Sequence, residues 1–244
     1  MFFAIGGAVG AFGWRTPFWL YVASLIVAAV MIAVIWPTQQ SDDGAEKRIE
    51  KLPPIPWKKL MLPVVVSFVG GITFYTLIVE LPYVLATMGV TSTATIGACA
   101  AIASLATAIG AFLFRFIAGR GVAWLLPFSF GLAGIGMVVV WFAPNVPLAV
   151  IGAVIAGFGN GVLLPTLVTW AIARLDYAQR GRGAGLFTGA LFLGEFVTPL
   201  VILALTAAAG TLAIAIGVIG IASLVICVVL ALVTRRYPQP ALAV

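Results

Sequence analysis

The chain has 244 residues, 63% of them hydrophobic and only 8% charged, with a net charge of +6. Soluble domains carry about 25% charged residues, so this composition excludes an ordinary soluble domain and indicates an all-α polytopic membrane protein. The chain contains no histidine, which removes the commonest general base, most zinc sites and histidine-ligated haem together.

The opening Met1–Ala11 is apolar but too short to span a bilayer, and it has neither the basic start nor the cleavage site of a secretory signal. It reads as the tail of a helix that begins upstream. Seven longer apolar segments follow: Thr16–Trp36, Leu60–Thr87, Ala94–Phe116, Val122–Phe142, Leu148–Ala173, Ala184–Ala207 and Leu212–Val233. Each is near the length that a membrane helix needs, about 20 residues.

One substantial polar stretch interrupts them. Pro37–Lys59 holds four of the seven acidic residues and five of the thirteen basic ones. Its prolines and charges predict a linker, with a short surface helix at Asp42–Leu52. Placing the seven segments alternately across a bilayer puts twelve of the thirteen Lys and Arg residues on one side, with Arg15 alone on the other. The positive-inside rule then makes the linker and the C-terminus cytoplasmic, in a multi-pass protein of the inner or plasma membrane. The same distribution argues against nucleic acid as the partner of the positive charge, because the basic residues sit in short gaps between apolar runs. Cys99 and Cys227 lie far apart inside apolar segments and read as small packing residues, not as a disulfide or a metal pair.

Candidate functional residues follow in chain order. Thr73, Thr76, Glu80 and Tyr83 recur at spacings of three, four and three, a polar stripe expected to face a cavity and not lipid. Asn160 lies near the middle of its segment between glycines, where an amide needs a partner, either a neighbouring helix or a substrate. Small residues at Gly157 and Gly161, and again at Gly181, Gly185 and Gly189, are spaced for close helix packing. Arg174, Asp176, Arg180 and Arg182 form the loop before the next segment, where they either set topology or gate a cytoplasmic entrance.

Glu195 is the strongest candidate. It lies about twelve residues inside the otherwise uncharged run Gly183–Ala207, a rise of about 18 Å, and therefore near mid-depth of a core about 30 Å thick. A carboxylate there is costly unless it is protonated, paired or facing water, so it reads as a proton-coupling group. Thr188 and Thr198 are spaced to share its helix face, and Phe192, with Phe74 and Tyr75, is an aromatic available to an apolar substrate pocket.

The pattern resembles the major facilitator superfamily. The stretch Gly6-Gly7, Phe12-Gly13-Trp14-Arg15 and Phe18-Trp19 is similar to that family's turn from the fifth helix into the sixth. The charged linker stands where the family's inter-half loop stands, and six helices follow. Arg180 to Arg182, Phe192, Glu195 and Pro199-Leu200 are similar to the start of the eleventh helix in drug- and sugar-efflux members. One family motif is degraded: where Gly-x-x-x-Asp-Arg-x-Gly-Arg is usual, the chain has Gly110, then Phe114 at the acidic position, Arg115, and a late Gly119-Arg120. Arg115 and Arg120 are thus expected either to gate the cytoplasmic side or only to mark it.

The resemblance implies the C-terminal half of the family's bundle, in seven transmembrane helices. Residues 1–36 would be the end of helix five and helix six, 37–59 the inter-half linker, 60–234 the C-terminal six-helix bundle, and 235–244 a cytoplasmic tail. It implies a secondary transporter that exports a small organic molecule in exchange for protons, with the proton gradient as energy source and no cofactor or metal. It also implies a truncated chain, whose other helices come from the same protein or a partner chain. An inactive or partner-dependent half, and a facilitator or proton symporter, are the alternatives. A membrane enzyme would need a catalytic dyad or a metal-binding carboxylate cluster, and neither pattern is present in the sequence.

Overall fold

A computed structural model of the chain describes residues 2–13, 15–35, 57–173 and 175–236. Among these it forms eight α-helices: α1 (Phe2–Gly10), α2 (Val22–Val34), α3 (Trp57–Thr87), α4 (Thr93–Ile117), α5 (Val122–Trp141), α6 (Val146–Ala173), α7 (Arg180–Ala209) and α8 (Leu212–Arg236). A 3₁₀ turn at Thr16–Tyr21 leads into α2. The expected surface helix at Asp42–Leu52, Arg174 and the tail beyond Arg236 lie outside the described residues. Helix α3 begins at Trp57, so the last three residues assigned to the linker are already helical.

Seven spans are long and apolar enough to cross a membrane, from Thr16–Val34 to Leu212–Thr234, and they match the seven expected segments. The chain is a multi-pass, all-α membrane protein. Its outer surface displays large apolar side chains such as Ile32, Phe112 and Phe196, as a lipid-facing surface requires.

The helices pack through glycine. Lipid offers no hydrophobic drive for helices to associate, so close van der Waals approach supplies the attraction. A Cβ added at Gly7 of α1 would stand 2.6 Å from the Thr93 carbonyl oxygen and 2.8 Å from the Gly97 Cα, so α1 crosses α4 backbone to backbone. Gly157 meets α4 in the same way, with the Ala103 carbonyl 2.6 Å from an added Cβ, and Gly161 lies against the Thr107 carbonyl. Gly71 of α3 sits against the Leu191 carbonyl of α7, and Gly194 of α7 against the Phe68 carbonyl.

Two apolar layers fill the bundle. One gathers Phe114, Leu125, Phe130, Trp170 and Phe187. The other gathers Leu81, Leu85, Met137, Val140 and Ile216. Between them Thr73 of α3 meets Ser223 of α8, hydroxyl to hydroxyl at 3.2 Å. Prolines interrupt α3, α5, α6 and α7. Each removes an N–H and frees the carbonyl four residues earlier. Pro199 thereby frees the backbone carbonyl of Glu195.

Candidate functional site

Helix α3 separates two cavities. The first, about 200 Å³, lies among α1, α3, α4 and α6, and is bounded by Phe3, Phe74, Ser104, Thr107, Gly157 and Asn160. The second, about 450 Å³ and open, lies on α3 and α7 and is bounded by Tyr75, Phe192, Glu195, Phe196, Pro199 and Leu200. Consecutive residues of a helix point about 100° apart, which is why Phe74 and Tyr75 serve different cavities.

Beside the first cavity α6 is bare at Gly157, where a side chain has no room against Ala103. Its wall carries Asn160, only 4% exposed. The Asn160 Nδ2 donates to the Phe74 carbonyl at 3.4 Å, while its Oδ1 is buried without a hydrogen-bond partner among the described residues. The Ser104 and Thr107 hydroxyls donate to their own helix, to the Ala100 carbonyl at 2.9 Å and the Ala103 carbonyl at 3.3 Å. Their oxygens keep acceptor capacity. The wall is therefore apolar and uncharged, with a few acceptors that suit a small neutral or donor-bearing molecule.

In the second cavity the Glu195 side chain is half-buried among aromatic and aliphatic groups. It has no ion pair or hydrogen bond among the described residues. Directly behind it Gly71 and Gly194 bring α3 and α7 into backbone contact, and the Glu195 N–H nitrogen lies 3.2 Å from where a Gly71 Cβ would be. Phe192 borders this cavity as well. Thr198 does not share it: its hydroxyl donates to the Gly194 carbonyl at 2.8 Å on the packed side of α7. Thr188 is half-buried about two turns nearer the helix start than Glu195 and borders neither cavity.

The polar stripe of α3 lies apart from both of these cavities. Thr73, Thr76 and Glu80 turn into the bundle and do not border either cavity. Thr73 is held by Ser223, Thr76 donates to the Ile72 carbonyl at 2.7 Å, and Glu80 is 7% exposed with no partner among the described residues. Tyr83, at the end of the stripe, is 61% exposed. Helical spacing places these residues on one face, and α8 meets that face at Thr73.

Arg115, Arg120, Arg180 and Arg182 lie at one end of the bundle, where α4 finishes and α5 and α7 begin. The Arg115 guanidinium lies over the rings of Phe112 and Phe116, at 4.1 and 4.5 Å, and Arg120 lies over Trp124 at 4.6 Å. Arg180 stands 5.9 Å above the Tyr177 ring, and Asp176 and Arg182 are exposed beside it. Such cation–π contacts hold guanidinium groups at an apolar boundary. No group of three His, Cys, Asp or Glu side chains able to hold a metal occurs among the described residues.

Several site residues carried no signal in the sequence. Phe3, Ser104 and Thr107 border the first cavity from α1 and α4, and their spacing within alanine-rich helices does not distinguish a cavity wall from packing.

Residues 64–243 match the family described as Major Facilitator Superfamily. Among curated proteins none matches. Among solved structures, a glutamate-to-glutamine mutant of the peptide transporter POT is similar over 77% of this chain and 40% of its own, with a TM-score of 0.63 and 16% identity. The same mutant in complex with alafosfalin is similar over 72% of this chain and 38% of its own, with a TM-score of 0.60 and 16% identity. The chain thus spans about 40% of the length of these structures, and at this identity the likeness concerns the fold.

Proposed function

Because the chain belongs to the Major Facilitator Superfamily, we propose that it forms part of a secondary active transporter that exports small organic molecules in exchange for protons. The observation that carries this reading is the membrane-embedded Glu195, unpaired among the described residues, in a cavity that shares α3 with a second, uncharged cavity. A carboxyl at this depth is stable when protonated or hydrated and costly when ionised and dry. Alternating wet and dry states would therefore load and unload a proton there.

In this reading Glu195 carries the proton and the cavity at Asn160 takes the substrate. Glu80, buried away from both cavities, is the secondary proton candidate. Thr73, Thr76, Tyr83, Thr188 and Thr198 support the helices that move. The basic end faces the cytoplasm by the positive-inside rule, with Arg115, Arg120, Arg180, Arg182 and Asp176 as its closing surface. Further helices, of the same protein or a partner chain, supply the opposite wall of the path, in keeping with the 40% share of the solved structures that the chain covers. The membrane is the cell's inner or plasma membrane.

The test is flux in vesicles holding the full-length protein, under an imposed pH gradient. Wild type drives substrate against its gradient. Glu195→Gln is expected to fold and to lose that uphill movement. Uphill export undiminished in the variant would remove Glu195 from the mechanism.

A further inference from the structure

A groove on the outer surface of α5 and α8 carries chemistry that neither cavity uses. It has a volume of about 320 Å³ and is bounded by Trp124, Phe128, Gly131 and Ile135 of α5 with Cys227 and Ala231 of α8. Trp124 and Phe128 stack with centroids 4.5 Å apart and planes 17° apart. At its mouth, in the turn before α5, Arg120 holds its guanidinium 4.6 Å over the exposed Trp124 ring.

The last turn of α8 also lies at that mouth. The Thr234 hydroxyl oxygen stands 3.4 Å from the Ala123 carbonyl, which fixes the last turn of α8 beside the first turn of α5. Helix α8 then ends in Arg235 and Arg236. No acidic residue occurs in α5, in α8 or in the turn containing Arg120. The depth of the groove also fits a definite object. Ala123 to Ile135 is twelve residues of helix, a rise of about 18 Å, close to half of a hydrocarbon core about 30 Å thick. The groove thus runs from the basic interface down one leaflet, with a tryptophan at the level where aromatic belts lie.

We propose that this groove binds an anionic phospholipid, one acyl chain lying along α5 and α8 and the headgroup phosphate on Arg120. Charge complementarity selects the headgroup, and the apolar lining selects the chain. A peptide would find few polar partners along that wall for its backbone. The proposal rests on the groove and its charge and not on the transport reading, although it shares Arg120 with the proposed closing surface.

The test titrates the full chain in detergent with phosphatidylglycerol, phosphatidylcholine of the same acyl chains, or inorganic phosphate, reading thermal unfolding and the lipid retained in native mass spectrometry. Phosphatidylglycerol is expected to bind about fivefold more tightly than phosphatidylcholine, the preference of one interfacial Arg for an anionic surface. Arg120→Gln, an exposed change that leaves the fold intact, erases the preference. Trp124→Leu, which keeps the charge but removes the ring beneath it, reduces the preference. Ala231→Trp obstructs the groove and weakens both lipids. Equal binding of the two lipids, a preference that survives Arg120→Gln, or an equal shift from inorganic phosphate alone would overturn the proposal.

Discussion

Phe74 and Tyr75 are consecutive on α3 yet belong to different cavities, Phe74 to the one that holds Asn160 and Tyr75 to the one that holds Glu195. One turn of α3 therefore touches both proposed working groups. The Phe74 carbonyl accepts from Asn160, and Gly71, just below, lies against α7 beside Glu195. A shift of this turn that accommodates a substrate at Asn160 would also move the wall of the carboxyl's cavity. That is the physical link an exchanger requires between its two ligands.

The α3–α7 crossing should tolerate no side chain. Gly194→Val places methyl groups against the Phe68 carbonyl and is expected to cost about 1–3 kcal/mol through forced separation of the helices. Gly189→Val, five residues earlier on the same helix but facing open space, should stay within about 0.5 kcal/mol. Thermal unfolding of both variants checks the contrast.

Asn160→Leu should weaken substrate binding while the protein stays as stable or becomes slightly more so. Its Oδ1 is a buried acceptor without a partner among the described residues, a situation that costs about 1–3 kcal/mol in general. Binding measured beside thermal unfolding separates the two effects; a loss of stability that parallels the loss of binding would mark Asn160 as interhelical glue.

Thr73 and Ser223 should couple to each other and not to transport. A double-mutant cycle with Thr73→Val and Ser223→Ala is expected to return about 0.6 kcal/mol, the usual size of a hydrogen bond between membrane helices, with substrate flux unchanged.

Glu80→Met should raise the thermal stability of the bundle. Glu80 is only 7% exposed, and replacing a largely buried polar side chain by an apolar one of similar length removes part of a penalty of about 1–3 kcal/mol. A lower unfolding temperature would mean that Glu80 makes a contact the fold depends on.

Much of this architecture was legible in the sequence, because crossing a bilayer imposes a length and polarity that a linear reading detects. Glu195 stood out for the same reason, as a charge inside an apolar run. Orientation within the bundle was not legible. The spacing of Thr73, Thr76 and Glu80 puts them on one face, but the partner of that face, Ser223, is 150 residues away. Glycine spacing was equally silent about partners. Gly157 and Gly161 are pressed against α4, whereas Gly181, Gly185 and Gly189, at the same spacing, have nothing within 4 Å of an added Cβ. Periodicity fixes a face, and only the packing of distant segments decides what covers it.

In the proposed exchange Glu195 carries the proton. The most direct measurement is proton release on substrate binding to the full-length protein in weakly buffered detergent with a pH indicator. Wild type is expected to release a proton as substrate binds, and Glu195→Gln to bind substrate with no release. Equal release from both proteins would contradict that role.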